Sequence, residues 1–192
     1  GFGKVLNYVG LFSDITETKA LQEQLQRIAH YDALTDLPNR VLLADRLQQA
    51  LAQCHRQKTS VAVVYLDLDD FKAVNDTHGH GVGDALLVAV AQRMQDALRE
   101  GDTLARIGGD EFVAILPGLA HVQDAERVAE DVIGVLNRPF DLSGQQGHIS
   151  GSIGIALYPS DAADAEELLR HADQAMYAAK NGGRNRYSYF TP

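Results

Sequence analysis

Two periodicities alternate along this chain. Val61-Ala62-Val63-Val64-Tyr65-Leu66 is an unbroken β-branched and apolar run, the pattern of a central strand buried on both faces. On either side the spacing changes to that of helices. Leu42, Leu43, Leu47, Ala50 and Leu51 place one apolar face on a helix from Asn39 to Gln57, and Leu86, Leu87, Val90 and Met94 do the same from Gly83 to Leu98. A hairpin is predicted over Thr103 to Leu116 and a helix over Val122 to Leu136. Ile149 to Ala156 alternates like a strand, and its glycines predict close approach to another backbone. A last helix, Glu166 to Lys180, stops at Gly182-Gly183, and Tyr187 to Phe190 reads as a closing strand. The alternation argues for an α/β or α+β layer fold. Strand order is not readable from periodicity.

The opening residues have a different character. Asn7 to Phe12 reads as a strand without a partner nearby in sequence. Beyond it, Ala20, Leu21, Leu25, Ile28 and Ala29 fall near heptad spacing on a helix that Thr16 or Thr18 is placed to cap. That pattern fits either a helix packed on its own domain or one strand of a two-stranded coil.

Composition narrows the function classes. At 192 residues the chain fits one domain with a short extension. No apolar run approaches the roughly 20 residues of a membrane span, so no membrane contact is expected of these residues, and a cytoplasmic location is expected even where the parent protein is membrane-associated. The single cysteine, Cys54, fits a reducing compartment and reads as a packing or surface thiol. A formal charge of −9 argues against a nucleic-acid surface, which needs a basic face. A small nucleotide needs only a few local cations and a metal. His78 and His80 have no cysteine cluster beside them, so zinc is not expected.

The chemistry concentrates in two acidic stretches. Arg106-Ile107-Gly108-Gly109-Asp110-Glu111-Phe112 places two glycines and two carboxylates between apolar runs, where a tight reversal needs φ > 0 and a phosphate or base can approach bare backbone. Taken alone, the pattern fits a hairpin with solvated acids as well as one that offers acids to a metal. The second stretch, Asp67-Leu68-Asp69-Asp70, lies where the central strand leaves the core. Acids at two neighbouring strand ends can share a divalent ion, and hard oxygen ligands suit magnesium or manganese with a nucleotide triphosphate as guest.

Asp67 to His80, Gly83-Asp84 and Gly108 to Phe112 together resemble the GGDEF family of diguanylate cyclases. Asp36-Leu37-Pro38-Asn39-Arg40 and Lys180 to Arg186 extend the resemblance in the same order from about Asp32 to Phe190. It implies an α+β fold with a palm-like βαββαβ core, a central antiparallel or mixed sheet flanked by helices. It also implies a division into the last strand of a PAS sensor domain (1–15), a signalling helix (16–31) and the cyclase domain (32–192). An EAL phosphodiesterase domain often follows in such proteins.

The resemblance implies that two GTP condense to cyclic di-GMP and two pyrophosphates across a homodimer, with two Mg2+ or Mn2+ ions per GTP. Asp67, Asp110 and the Leu68 carbonyl match the metal ligands. Asp110 is also the candidate proton acceptor, and Glu111 supports the second ion. Lys72, on a predicted turn, matches a group that offsets charge during phosphoryl transfer. Asn75 and Asp84 match the guanine-reading pair, and His80 matches a further substrate contact. Gly108 and Gly109 match the backbone lying against the nucleotide, and Lys180 and Arg184 the cations on the terminal phosphates. Asn185 and Arg186 receive no role. Arg99-Glu100-Gly101-Asp102 matches the inhibitory product site, with Arg127 as a further candidate there. The alternatives are a GTP or cyclic di-GMP receptor with weak catalysis, or a structural dimerisation module.

Overall fold

The computed structural model describes residues 14–142 and 144–192, so the strand expected at Asn7 to Phe12 lies outside the described residues. Helix α1 (Thr16–His30) begins with the Thr16 N–H donating to Asp14 Oδ1 at 2.9 Å. The cap expected from Thr16 or Thr18 is not made, because both threonines lie within the first helical turn: the N-cap is Ile15, and Asp14 before it takes up one free N–H. No residue of α1 is buried, and Leu21, Leu25 and Ile28 are all more than half exposed. Among the described residues, α1 thus buries no apolar face against the rest of the chain.

Helix α2 (Arg40–Gln57) is capped by Asn39, whose Oδ1 accepts from the N–H groups of Val41 and Leu42 at 2.9 and 3.1 Å. Strand β1 (Ser60–Leu68) runs two residues beyond the apolar stretch, which puts Asp67 and Leu68 inside the strand. Next come α3 (Phe71–His78) and α4 (His80–Ala97). The turn expected around Lys72 is in fact the first turn of α3, and His80 opens a helix expected to begin at Gly83. The two helices break at Gly79, where φ is 86°, a conformation that costs glycine little.

The chain continues through β2 (Thr103–Gly108), β3 (Glu111–Leu119), α5 (Gln123–Leu136), β4 (Phe140–Leu142), β5 (Gln145–Gly147), β6 (Gly151–Tyr158), α6 (Ala165–Asn181) and β7 (Arg186–Tyr189). The short β4–β5 hairpin was not anticipated, since Gln145-Gln146-Gly147 carries no apolar signal. The main sheet has the order β2-β3-β1-β6-β7, antiparallel except between β6 and β7. This is the mixed sheet and the βαββαβ order expected, with α6 and β7 added at the end.

Successive β1 side chains enter two cores on opposite faces of the sheet. Ala62, Val64, Leu66 and Leu68 join Leu86, Leu87 and Val90 of α4 with Ala129 and Val132 of α5. Val61 and Val63 join Leu43, Leu47 and Leu51 of α2 with Leu168 and Ala172 of α6. On that second face Gly154 lets α6 approach closely: a Cβ there would strike the backbone at Ala172, Ala175 and Met176. Cys54 is buried in the same core and its Sγ donates to the Thr59 carbonyl at 2.6 Å, so it is a packing thiol.

Candidate active site

The sheet register brings the two acidic stretches together. Asp67 on β1 lies opposite Glu111 on β3 and opposite Ser152 on β6, and the Leu68 N–H donates to the Asp110 carbonyl at 3.1 Å. The β2–β3 turn is tight, with Gly109 at φ 40°. No atom lies within 4 Å of where a Cβ at Gly108 or Gly109 would stand, so the tip offers bare backbone on an open side.

The turn is held from behind. Arg106 donates from Nε and Nη2 to the Gly109 carbonyl at 2.8 and 2.7 Å, while its Nη1 lies 3.0 Å from both oxygens of Asp32. Asp32 in turn accepts from the Thr35 N–H and Oγ at 2.8 and 2.7 Å. Burial pushes the Asp32 carboxyl up, but the Thr35 bonds and Arg106 outweigh it and leave its pKa below the ordinary value. Neither Arg106 nor Asp32 was picked out as a functional residue. The one available signal was the Asp-x-x-Thr spacing of Asp32 and Thr35, which marks a local turn.

Asp67 is 9% exposed, and Lys180 Nζ lies 2.7 Å from its Oδ1. The separation is that of a charge-assisted contact, and Lys180 is the one cation that meets this buried oxygen. Burial raises the Asp67 pKa, Lys180 opposes that rise and the Asp110 charge adds to it. Glu111 is raised by burial and then by Asp67, Asp173 and Asp110. Crowded carboxylates whose charges oppose one another, with a single lysine among them, are what a divalent cation would satisfy. Among the described residues, however, no three His, Cys, Asp or Glu side chains converge on one metal position. Asp67, Leu68, Asp110 and Glu111 are neighbours at one strand end without forming a closed cage. Magnesium suits such an open arrangement, because it binds through one or two carboxylates and completes its shell with water and phosphate oxygens.

The residues expected to meet the nucleotide lie on α3, α4 and the end of α6. Lys72 and Asn75 stand three apart on α3 and share a face. Asn75 packs against Gly83, where a Cβ would collide with the Asn75 amide, so the buried glycine admits this side chain beside Asp84. Asp84 and His80 are exposed on α4. Lys180 lies in the last turn of α6, and Arg184 follows the helix end, exposed, at φ 61°.

Arg99 and Asp102 lie before β2, at the end of that strand away from the Gly-Gly turn. Arg99 Nε donates to Asp102 Oδ1 at 2.9 Å and its N–H to Oδ2 at 3.2 Å. The pair borders a cavity of about 230 Å3 that Arg127 also lines.

A central acid-bearing strand flanked by an acid-tipped hairpin, in a mixed sheet of this order, defines a nucleotide-cyclase-like palm domain. Residues 29–186 match the family described as diguanylate cyclase, GGDEF domain, and the chain belongs to that family. The bifunctional diguanylate cyclase/cyclic di-GMP phosphodiesterase MucR of Pseudomonas aeruginosa is 46% identical over 175 residues, covering 91% of this chain and 25% of MucR. The chain thus spans about a quarter of that relative's length. The GGDEF domain of TpbB from P. aeruginosa superposes with a TM-score of 0.83 at 43% identity, covering 84% of this chain and 95% of that domain. The coiled coil and GGDEF domain of DgcB from Caulobacter crescentus, solved in complex with c-di-GMP, gives 0.82 at 32% identity, covering 91% and 93%. No helix among the described residues is long and apolar enough to cross a membrane.

Proposed function

We propose that this chain is a diguanylate cyclase module that joins two GTP into cyclic di-GMP and two pyrophosphates across a homodimer. The observation that carries the reading is the buried Asp67 carboxylate, its pKa raised by burial and by Asp110, set with Glu111 and Lys180 at one strand end.

Asp67 and Asp110, with the Leu68 carbonyl, would hold the divalent ions, and Glu111 would support the second. The chemistry a divalent ion would supply there is polarisation of the α-phosphate and a lowered pKa for the attacking hydroxyl. Asp110 takes the proton as each 3′-oxygen attacks the α-phosphorus of the other nucleotide and the bond to pyrophosphate breaks. Lys72 offsets the charge that builds on the transferring group. Asn75 and Asp84 read the guanine edge: a carboxylate accepts from N1 and the exocyclic amine, groups that adenine lacks in that arrangement. His80 adds a substrate contact. Gly108 and Gly109 let the nucleotide lie against backbone, and Lys180 and Arg184 bind the terminal phosphates.

One domain holds one GTP, so turnover needs two domains face to face. The exposed Leu21, Leu25 and Ile28 stripe on α1 supports a coiled-coil pairing that supplies them. Product bound at Arg99 and Asp102 would hold two domains in an arrangement that keeps the half-sites apart. In the parent protein, a PAS domain before α1 and an EAL domain after β7 are the neighbours this reading expects.

The test is cyclic di-GMP formed from GTP and Mg2+ as protein concentration rises, with Asp110→Ala as control. Product that grows faster than linearly and vanishes in the variant supports the reading. GTP binding without product at any concentration would replace the enzyme with a receptor.

A further inference from the structure

Asp69 belongs to the acidic stretch at the end of β1, but its carboxylate oxygens are taken up by protein donors. It is 6% exposed. Its Oδ1 accepts from Ser152 Oγ at 2.7 Å, and its Oδ2 accepts from Ser150 Oγ at 2.6 Å and from the Asn185 N–H at 3.0 Å. Its own N–H donates to the Ser150 carbonyl at 2.8 Å. A buried carboxylate is costly unless its lone pairs are met, and here three donors meet them.

The third donor bears on function. Arg184 and Asn185 are consecutive non-glycine residues at φ 61° and 47°, in the left-handed region that side chains seldom occupy. For Arg184 the conformation is strained and persists only where its surroundings over-determine it, while Asn185 tolerates it more readily. Upstream, the helix end holds this turn by the Arg184 N–H donating to the Ala179 carbonyl at 3.1 Å. Downstream, Arg186 enters β7 opposite Ser152. Between these two anchors the one charged acceptor on the turn's backbone is Asp69.

We infer that Asp69 is a positioning residue for the phosphate-binding end of the site: it pins the Asn185 amide and thereby fixes the backbone that aims Arg184. The inference rests on the reading above in which Lys180 and Arg184 take the terminal phosphates of GTP. Asp69 contacts neither nucleotide nor metal in this account. Its effect passes through one backbone N–H.

The experiment compares binding of α,β-methylene GTP and of GMP, each with Mg2+, by calorimetry. A residue that places the terminal-phosphate cations changes the ratio of the two affinities, whereas general loosening lowers both together. Arg184→Ala is expected to lower the GTP-analogue to GMP affinity ratio about tenfold, the loss of one charged hydrogen bond. Asp69→Ala is expected to lower the same ratio by a similar factor, and to add little in the Arg184→Ala background. Asp69→Asn is expected to restore it, because its amide oxygen still accepts from Asn185 while its NH2 donates to a serine hydroxyl, which also accepts. Asp69→Glu keeps the charge but lengthens the arm by one methylene, so it lowers the ratio and serves if the alanine variant does not fold. An unchanged ratio in folded Asp69→Ala or Asp69→Glu, with Arg184→Ala still effective, overturns the inference. An unchanged ratio in Arg184→Ala overturns the phosphate assignment itself, and the inference with it.

Discussion

Arg106 and Asp32, separated by 74 residues in sequence, meet through two contacts of 3.0 Å, and the same guanidinium holds the carbonyl of Gly109. One planar fork thus ties the acid-bearing turn to the segment that leaves α1. Lysine carries the charge but not the fork. Arg106→Lys and Arg106→Ala are both expected to cost about 2 kcal/mol, because each leaves a partly buried carboxylate and carbonyl short of donors. Thermal melting should register this as a fall of about 4–8 °C.

The same tie predicts a pH dependence. The Asp32 pKa lies below its ordinary value in the folded chain, so its contribution to stability is present above the unfolded carboxylate pKa of about 3.9 and lost as pH falls through the lowered folded value. The difference in melting temperature between the native chain and Asp32→Asn should be constant near neutrality. It should close only at strongly acidic pH.

Asp67→Asn separates metal binding from stability. The carboxylate is buried among like charges with its pKa raised, so removing its charge relieves the folded state at neutral pH. The variant is expected to melt no lower than the native chain without metal, to lose the Mg2+-dependent rise in melting temperature, and to form product about a thousandfold more slowly. A native-sized Mg2+ shift in the variant would remove Asp67 from the ligand set.

Two glycine substitutions should behave differently. A Cβ at Gly83 meets the movable end of the Asn75 amide, whereas one at Gly154 meets the backbone of α6. Gly83→Ala should cost under about 1 kcal/mol while lowering the preference for GTP over ITP about tenfold, measured as kcat/KM. Gly154→Ala should destabilise by about 3 kcal/mol or more in denaturant melts.

Leu25→Asp places a charge in the middle of the exposed α1 stripe. It is expected to leave melting within about 0.5 kcal/mol, since the position is exposed in the single chain. It should also lower the rate of product formation at low protein concentration, and sedimentation should show the matching loss of dimer.

The parts of the fold legible in sequence were those in which one segment declares itself. Val61 to Leu66 could only be a buried strand, and the glycines of Ile149 to Ala156 signalled the close packing that Gly154 makes with α6. Helix α3 was hidden because eight residues, with only Phe71 fully buried, give too short a period to separate from a turn. The β4–β5 hairpin was hidden because its second strand carries no apolar residue. Within the site, the acids and the glycine turn stood out as motifs. The Arg106 fork and the anchoring role of Asp69 did not, because each depends on a partner far away in sequence, and no local pattern encodes such a pairing.

The contact between Asp69 and Asn185 joins residues 116 positions apart, and β7 enters the sheet only after it. A chain growing on the ribosome can therefore pair β1 with β3 and β6 while the turn after α6 is still unmade. The acids of the hairpin are in place early, and the cations that accompany them arrive with nearly the last residues of the sheet. Completeness of the candidate site is thus a report on completeness of the domain, and a product truncated within α6 would keep Asp67, Asp110 and Glu111 without Arg184.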